Sequence, residues 1–438
     1  MRWILDLTYF LVAMITLPVW LPAMVRSGKI RTDWRGRFGW TGPEVRRPVT
    51  PSQGADPDSP RLLIHAVSVG EVNAIRPLVD SLIDHEPHLR LIIAATTDTG
   101  MQRARDLFQH RAECVVVRFP FDFSFAVARF LRAVRPDVVA LTELEVWPNF
   151  TAACSRRNIP LAVINGRLSA RSFRWYRRVA PFVRPGFRRL HRVAVQDETY
   201  AARFRELGVS QNRLLVNGTM KWDAACIADD VPGAAQLADE MGIDRDKPLV
   251  VAGSTAPGEH ELLHDAVGKK SQLLCAPRKP EWFDQAAVAL PQCARRSRGD
   301  QGSPTGRFLL DTIGELRKAY ALADVVVVGR TFGSLHGSDM MEPVALGKAV
   351  IVGPQVEDFQ QTAEALRAGD GIVQCDPNSL AETIRALLAN PRRRRELGEN
   401  GRRVIRAHQG ATASNTAMLL EMLAESGKLE PAMEPGVR

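Results

Sequence analysis

The chain has 438 residues, 45% of them apolar, and its 58 Lys and Arg outnumber its 49 Asp and Glu, for a formal charge of +9. That length and apolar share supply core for two domains plus an N-terminal segment; the basic excess favours an anionic partner such as phospholipid, nucleotide or phosphorylated glycolipid. Six scattered cysteines with no CxxC exclude a disulfide scaffold and offer no zinc motif, so free thiols in a reducing compartment are expected.

Leu7–Val25 is a continuous apolar segment, and about 20 such residues cross a hydrocarbon core of roughly 30 Å. Pro18 and Pro22 disturb it as a straight helix, and Trp3 and Trp20 bracket it. A secretory signal is one rival reading, but no small-residue cleavage site follows. A buried helix on a soluble body is the other. Arg26, Lys29, Arg31, Arg35 and Arg37 come next, and positive charge on that side keeps the main body cytoplasmic. A membrane anchor is expected, spanning or shallow. Residues 43–60, rich in Gly and Pro, read as a linker.

Beyond the linker, short apolar runs alternate with helical patterns. Strands are predicted at Leu62–Val67, Leu91–Ala95, Cys114–Arg118, Val138–Leu141, Leu161–Ile164, Arg192–Gln196 and Arg213–Val216. Helices are predicted near Val72–Ile83, after Thr99-Gly100, at Phe125–Val134 and at Asn149–Arg157. The pattern restarts with strands at Pro248–Ala252, Ser271–Ala276, Phe308–Leu310, Val325–Val328, Ala349–Val352 and Gly371–Val373. Such alternation indicates parallel sheets covered on both faces. Two doubly wound, Rossmann-like α/β domains are therefore expected, split near Met220–Gly242 and facing a cleft at their strand ends. The tail Ser379–Glu425 reads as helical, with an end free to pack back on the first domain. Pro391 to Arg395 reads as the solvated start of a helix.

Several motifs fall at strand ends. His65-Ala-Val-Ser-Val-Gly-Glu71 puts Glu71 just past the first strand. Ser68-x-x-Glu71 fits a capping box, and a carboxylate there also suits a general base for an acceptor hydroxyl. Glu143 and Glu145, two apart after Val138–Leu141, share one wall if the strand continues. They are a structural ion-pair set or the edge of a polar site. Lys221, in Gly218–Asp223 at the domain junction, is a surface lysine or a partner for phosphate or sugar carboxylate. Pro277-Arg278-Lys279-Pro280 offers cations to a nucleotide phosphate. Asp311–Leu316 reads as a helix start, able to bind phosphate, and Thr312-x-x-Glu315 fits a second capping box. Gly333–Pro343 is flexible, then polar, and Glu342 suits ribose hydroxyls. His336 has no second histidine at ligand spacing, so no metal site is expected. Arg171–Arg178 and Arg184–Arg189 interleave cations with aromatics. They suit an anionic lipid surface, a nucleic acid or a plain solvated helix, and no nucleic-acid motif accompanies them.

Taken in order, these motifs resemble the 3-deoxy-D-manno-octulosonic acid (Kdo) transferases of lipopolysaccharide synthesis, membrane-anchored enzymes of the GT-B fold. The resemblance includes Arg37-Phe38-Gly39, His65–Glu71, Thr96–Gly100, Phe119–Asp122, Glu143–Asn149, Asn165–Ser169, Lys221-Trp222-Asp223, Ala252–Thr255, Pro277-Arg278, Asp311–Leu316 and Glu342-Pro343. It implies an inverting transfer of Kdo from CMP-Kdo to a lipid A precursor at the cytoplasmic face of the bacterial inner membrane. It needs no cofactor, metal or nucleic acid. Glu71 would be the general base, and Glu143 and Lys221 would stabilise the transition state. Pro277, Arg278, Ile313, Gly314, Glu315, Asp339, Met340, Met341 and Glu342 would bind CMP. The resemblance also divides the chain into an anchor with its basic flank (1–35), an acceptor-binding domain (36–225), a CMP-sugar-binding domain (226–425) and a tail (426–438). The chain departs from the family pattern at Lys279, at Ser338–Met341 and at Ala256-Pro257, all in the donor domain. These departures motivate two alternatives: a GT-B transferase using another nucleotide sugar, or a silent membrane-tethered binding homologue.

Overall fold

The apolar runs form two sheets of seven parallel strands each. The computed structural model of the chain describes residues 2–26, 28–46 and 59–429. Most of the expected linker, at 47–58, and most of the tail, at 430–438, lie outside the described residues. Two units are distinguished, Met1–Ala224 with Gln409–Arg438, and Ala225–His408.

The first unit holds β1 (Arg61–Ala66), β2 (Arg90–Ala95), β3 (Cys114–Arg118), β4 (Val138–Thr142), β5 (Leu161–Gly166), β6 (Arg192–Val195) and β7 (Leu214–Val216). Their order is β3-β2-β1-β4-β5-β6-β7. Alternate residues feed two cores, as the two-residue period of a strand requires. Leu63, Ile92, Val139 and Leu161 pack on one face with Phe130 and Phe150. Leu62, Ile64, Leu91 and Val138 pack on the other with Leu78 and Leu82. The chain winds outward from β1 on one side and from β4 on the other, so the switch point lies between β1 and β4, paired from Leu62↔Val138 to His65↔Leu141. Ligands of open α/β sheets bind outside the strand ends at such a point.

The helix predicted near Val72–Ile83 is two helices, Val69–Ala74 and Arg76–His85. Pro77 lacks the N–H that would continue the first into the second, so the chain breaks at Ile75. The last described helix, Ala411–Glu425, is in the first unit. Met418, Leu419, Met422 and Leu423 bury themselves against the second core. Its N-terminal amides are held by Asp223, which accepts from Gly410 N at 2.7 Å and Thr412 N at 2.6 Å.

The second unit holds β8 (Leu249–Thr255), β9 (Gln272–Pro277), β10 (Ala294–Arg295), β11 (Arg307–Leu309), β12 (Val325–Val328), β13 (Ala349–Val352) and β14 (Val373–Gln374). Their order is β10-β11-β9-β8-β12-β13-β14, with the switch point between β8 and β12. Gly253 is required in β8, because a Cβ there would fall 2.0 Å from the buried Tyr320 hydroxyl.

At the N-terminus, Trp3–Arg26 forms a helix long and apolar enough to cross a membrane. Ile4, Leu7, Ile15 and Val19 are exposed. A stripe of half-covered side chains, Asp6, Tyr9, Ala13, Leu17, Trp20 and Met24, recurs every three or four residues along one side.

Candidate active site

Glu71 stands in the short helix that follows β1, at the first unit's switch point. Ser68 caps that helix in extended backbone. The Glu71 carboxylate accepts from Val67 N at 2.9 Å and from Ser68 Oγ at 3.0 Å. The capping reading is therefore correct as geometry. It does not compete with a catalytic one, since the same bonds fix the carboxylate at the strand end. Burial and the negative charge of Glu143 push its pKa above the usual glutamate range, against the bonds from Val67 and Ser68.

β4 stops at Thr142 instead of running on to Glu145, so the shared wall expected from alternation is not how the two glutamates meet. Glu143 turns into the left-handed region, φ 59°, while Glu143 N donates to Ile164 O at 3.0 Å. A glutamate held there is strained. The turn delivers Glu145 beside Glu71 and Glu143. Burial pushes the Glu145 carboxyl up to about 7, helped by both negative neighbours. Trp147 Nε1 donates to its Oε2 at 2.7 Å and opposes the shift. Three carboxyls thus gather at the ends of the neighbouring strands β1 and β4. His65, one strand face away, is fully buried and stacked on Phe119 at 3.6 Å. Burial pushes its pKa down to about 3, so it stays neutral.

Lys221 is exposed in the turn after β7. That turn is tied to the end of β5, where Asn165, at φ 52°, accepts from Met220 N at 3.2 Å. β5 in turn pairs with β4, the strand that leads to Glu143.

In the second unit, Pro277 ends β9 buried, and Arg278 is exposed, with its N–H bonded to Thr255 O at 2.9 Å. Lys279 lies over the Trp282 ring at 5.0 Å and 3.6 Å from Glu281. The helix expected from Asp311 begins only at Leu316. Thr312 Oγ1 donates to Glu315 Oε2 at 2.6 Å, but no capped turn forms around it. Asp311 is drawn aside by Ser297 and Arg295. Ile313 is exposed, Gly314 takes φ 94°, and Glu315 forms a two-pronged ion pair with Arg296 that holds its carboxyl below the usual range.

Asp339 accepts from Met341 N at 2.9 Å. Met340 and Met341 are buried, so their side chains belong to the core. Glu342 lies 3.7 Å from Arg317, and burial raises its pKa against that cation. Glu259, which sequence reasoning passed over, is a hub here. It is 3% exposed and accepts from Ala256 N, Arg330 N and Phe332 N at 2.9, 2.7 and 3.1 Å, joining the loops after β8 and β12. Ser254 and Arg330, at the ends of those strands, are also left-handed, at φ 58° and 62°.

The structure therefore gathers Glu71, Glu143 and Glu145 in one unit. In the other it arranges the Pro277, Ile313–Glu315 and Asp339–Glu342 segments around a second set of strand ends. Sequence reasoning paired Glu145 with Glu143 but gave it no role, and it missed Asn165 and Glu259 as supports. The visible signal for Glu145 was a carboxylate two residues before a tryptophan. Among the described residues, no group of His, Cys, Asp and Glu has the geometry of a metal centre.

Residues 32–224 match the family model described as 3-deoxy-D-manno-octulosonic-acid transferase (kdotransferase). The chain is 32% identical over 417 residues to the 3-deoxy-D-manno-octulosonic acid transferase of Bordetella pertussis, which covers 90% of this chain and 94% of the relative. It is 30% identical over 400 residues to the Haemophilus influenzae protein of the same name, covering 88% and 90%. Among solved structures, the UDP-GlcNAc 2-epimerase of Neisseria meningitidis bound to UDP-GlcNAc covers 83% of this chain and 100% of its own. At a TM-score of 0.51 and 13% identity, that is a likeness of fold.

Proposed function

The chain belongs to the 3-deoxy-D-manno-octulosonic acid (Kdo) transferase family, and from that premise we propose that it transfers Kdo from CMP-Kdo to a lipid A precursor at the cytoplasmic face of a bacterial inner membrane, with Glu71 as general base. The observation that carries the proposal is the Glu71 carboxylate, half-buried at the switch point of the first sheet, with its pKa raised by burial and by Glu143. A base nearer neutrality binds a proton more readily as the acceptor hydroxyl attacks.

In the reaction, the hydroxyl proton passes to Glu71 and the oxygen forms a bond to the anomeric carbon of Kdo. The bond from that carbon to the CMP phosphate oxygen breaks, and attack from the opposite face inverts the configuration. Glu143 stabilises positive charge developing on the sugar, and Lys221 balances the negative charge around it. Pro277, Arg278, Ile313, Gly314, Glu315 and the segment Asp339–Glu342 hold CMP. Because the Met340 and Met341 side chains are core and the Glu315 carboxylate is engaged by Arg296, these three serve through their backbone. The helix Trp3–Arg26 anchors the enzyme where a lipid acceptor lies.

The test supplies the full chain with a tetraacylated lipid A precursor and CMP-Kdo made in situ, and follows product by mass spectrometry. A mass gain of one or more Kdo units is expected. Glu71→Gln is expected to lower kcat by roughly 10²-fold or more. No gain with the parent enzyme overturns the transferase reading; a Gln variant as fast as the parent overturns the base.

A further inference from the structure

Polar groups clasp the first turns of the N-terminal helix to its unit. Asp6 accepts from Ser124 N at 2.9 Å and Asn149 Nδ2 at 3.0 Å. The Tyr9 hydroxyl donates to Asp122 at 3.0 Å, and Asp122 also takes the amides of Asn149 and Phe150. Beyond this clasp, a cavity of about 850 Å³ lies between the helix and the body. That size is within the range of ligand pockets, roughly 300–1,000 Å³. Phe10, Ala13, Leu17 and Trp20 line it from the helix, and Phe121 and Trp147 from the body.

We propose that this cavity holds one acyl chain of the acceptor lipid while the acceptor's sugar head lies at the Glu71, Glu143 and Glu145 carboxyls. The inference rests on the reading that the acceptor is an acylated glycolipid. Two observations select that occupant. One wall is the helix long enough to cross a membrane, so a chain enters from hydrocarbon without crossing water. The far end is Trp147, whose indole N–H is bonded to Glu145, so the cavity and the acidic cluster share a side chain. A phospholipid of the surrounding bilayer would fill the apolar part and leave the carboxyls without a sugar hydroxyl.

The full-length enzyme is incubated with a tetraacylated lipid A precursor carrying a diazirine near one acyl terminus, irradiated, digested and mapped. Adducts are expected on Phe10, Ala13 and Leu17 of the helix and on Phe121 and Phe125 of the body. Unlabelled precursor should suppress them and excess phosphatidylglycerol should not. Adducts on the outward Ile15 and Val19 side chains, or equal suppression by phosphatidylglycerol, overturn the proposal. Ala13→Phe, which fills the cavity, is expected to lower the kcat/KM preference for acylated over deacylated acceptor by roughly tenfold; an unchanged preference overturns it. The crosslink needs no turnover. Labelling in the cavity with no product therefore refutes the transferase reading and leaves the cavity assignment standing.

Discussion

Glu145 shows how much a single carboxyl reveals once its surroundings are known. Its pKa of about 7 means that folding favours its protonated form, because burial among Glu71 and Glu143 penalises the charge. An unfolded glutamate ionises near 4.3, so the folded state binds the extra proton between these two values. Stability contributed by this group is full below about 4.3 and is lost as pH rises through about 7. Glu145→Gln keeps an acceptor for Trp147 Nε1 and cannot ionise. Its melting temperature is expected to lie nearest the parent at pH 4 and to exceed it by a widening margin up to pH 8, with an upper bound of roughly 3–4 kcal/mol for a pKa moved from about 4.3 to about 7. Calorimetry at the two pH values checks it, and a gap that does not widen with pH counts against the buried-carboxyl account. None of this was legible in the sequence, where Glu145 was one of two glutamates on an assumed strand. Glu71 was legible, but as a choice between cap and base, and the bonds to Val67 and Ser68 show that one geometry serves both.

Elements were easier to read than their ends. The strands reproduce the apolar runs closely, because a strand buried on both faces needs little except β-branched and aliphatic residues. Their exits escaped, since left-handed backbone at Glu143, Asn165, Ser254 and Arg330 has no signature outside glycine. Two of these, Asn165 and Ser254, sit where the strand register shifts, as bulges beside functional sites do. The two-residue strand β10 is too short to show periodicity, and Thr312-x-x-Glu315 resembled a cap because the motif ignores Arg296, which claims the glutamate. In the second unit, the loops after β8 and β12 depend on Glu259. Its buried carboxylate serves three backbone N–H groups, and an amide in its place turns an N–H₂ group toward at least one of them. Glu259→Gln is expected to lower stability by about 1–3 kcal/mol, the cost of leaving a buried donor unsatisfied, and to weaken CMP binding. Thermal denaturation with and without CMP measures both, and a variant as stable as the parent shows that the loops hold without this hub.

At the scale of the whole molecule, two doubly wound units and an apolar N-terminal helix were readable from alternation and composition alone. The return of the helix Ala411–Glu425 to the first unit, as expected of the helical tail, is fixed by a contact between Asp223 and residues almost 190 positions later. The proposed membrane association of the molecule divides into two parts that respond differently to salt. The helix Trp3–Arg26 is apolar and carries its exposed face toward nothing in the protein, so its partition is hydrophobic and salt-tolerant. The helix Ala170–Arg178 buries no residue and carries Arg171, Arg174, Arg177 and Arg178. Trp175 and, in the next helix, Phe182 are 58% and 73% exposed. Cations with exposed aromatics bind anionic lipid weakly and through charge. A chain lacking residues 1–28 is therefore expected to sediment with phosphatidylglycerol vesicles at low salt and to be released at about 1 M salt, where the Debye length falls to ~3 Å. The full chain should stay bound under both conditions, and Trp175→Ala with Phe182→Ala should abolish the residual binding of the shortened chain. A shortened chain that binds neutral and anionic vesicles alike would remove the arginine face from the membrane interaction and leave the anchor to carry it alone.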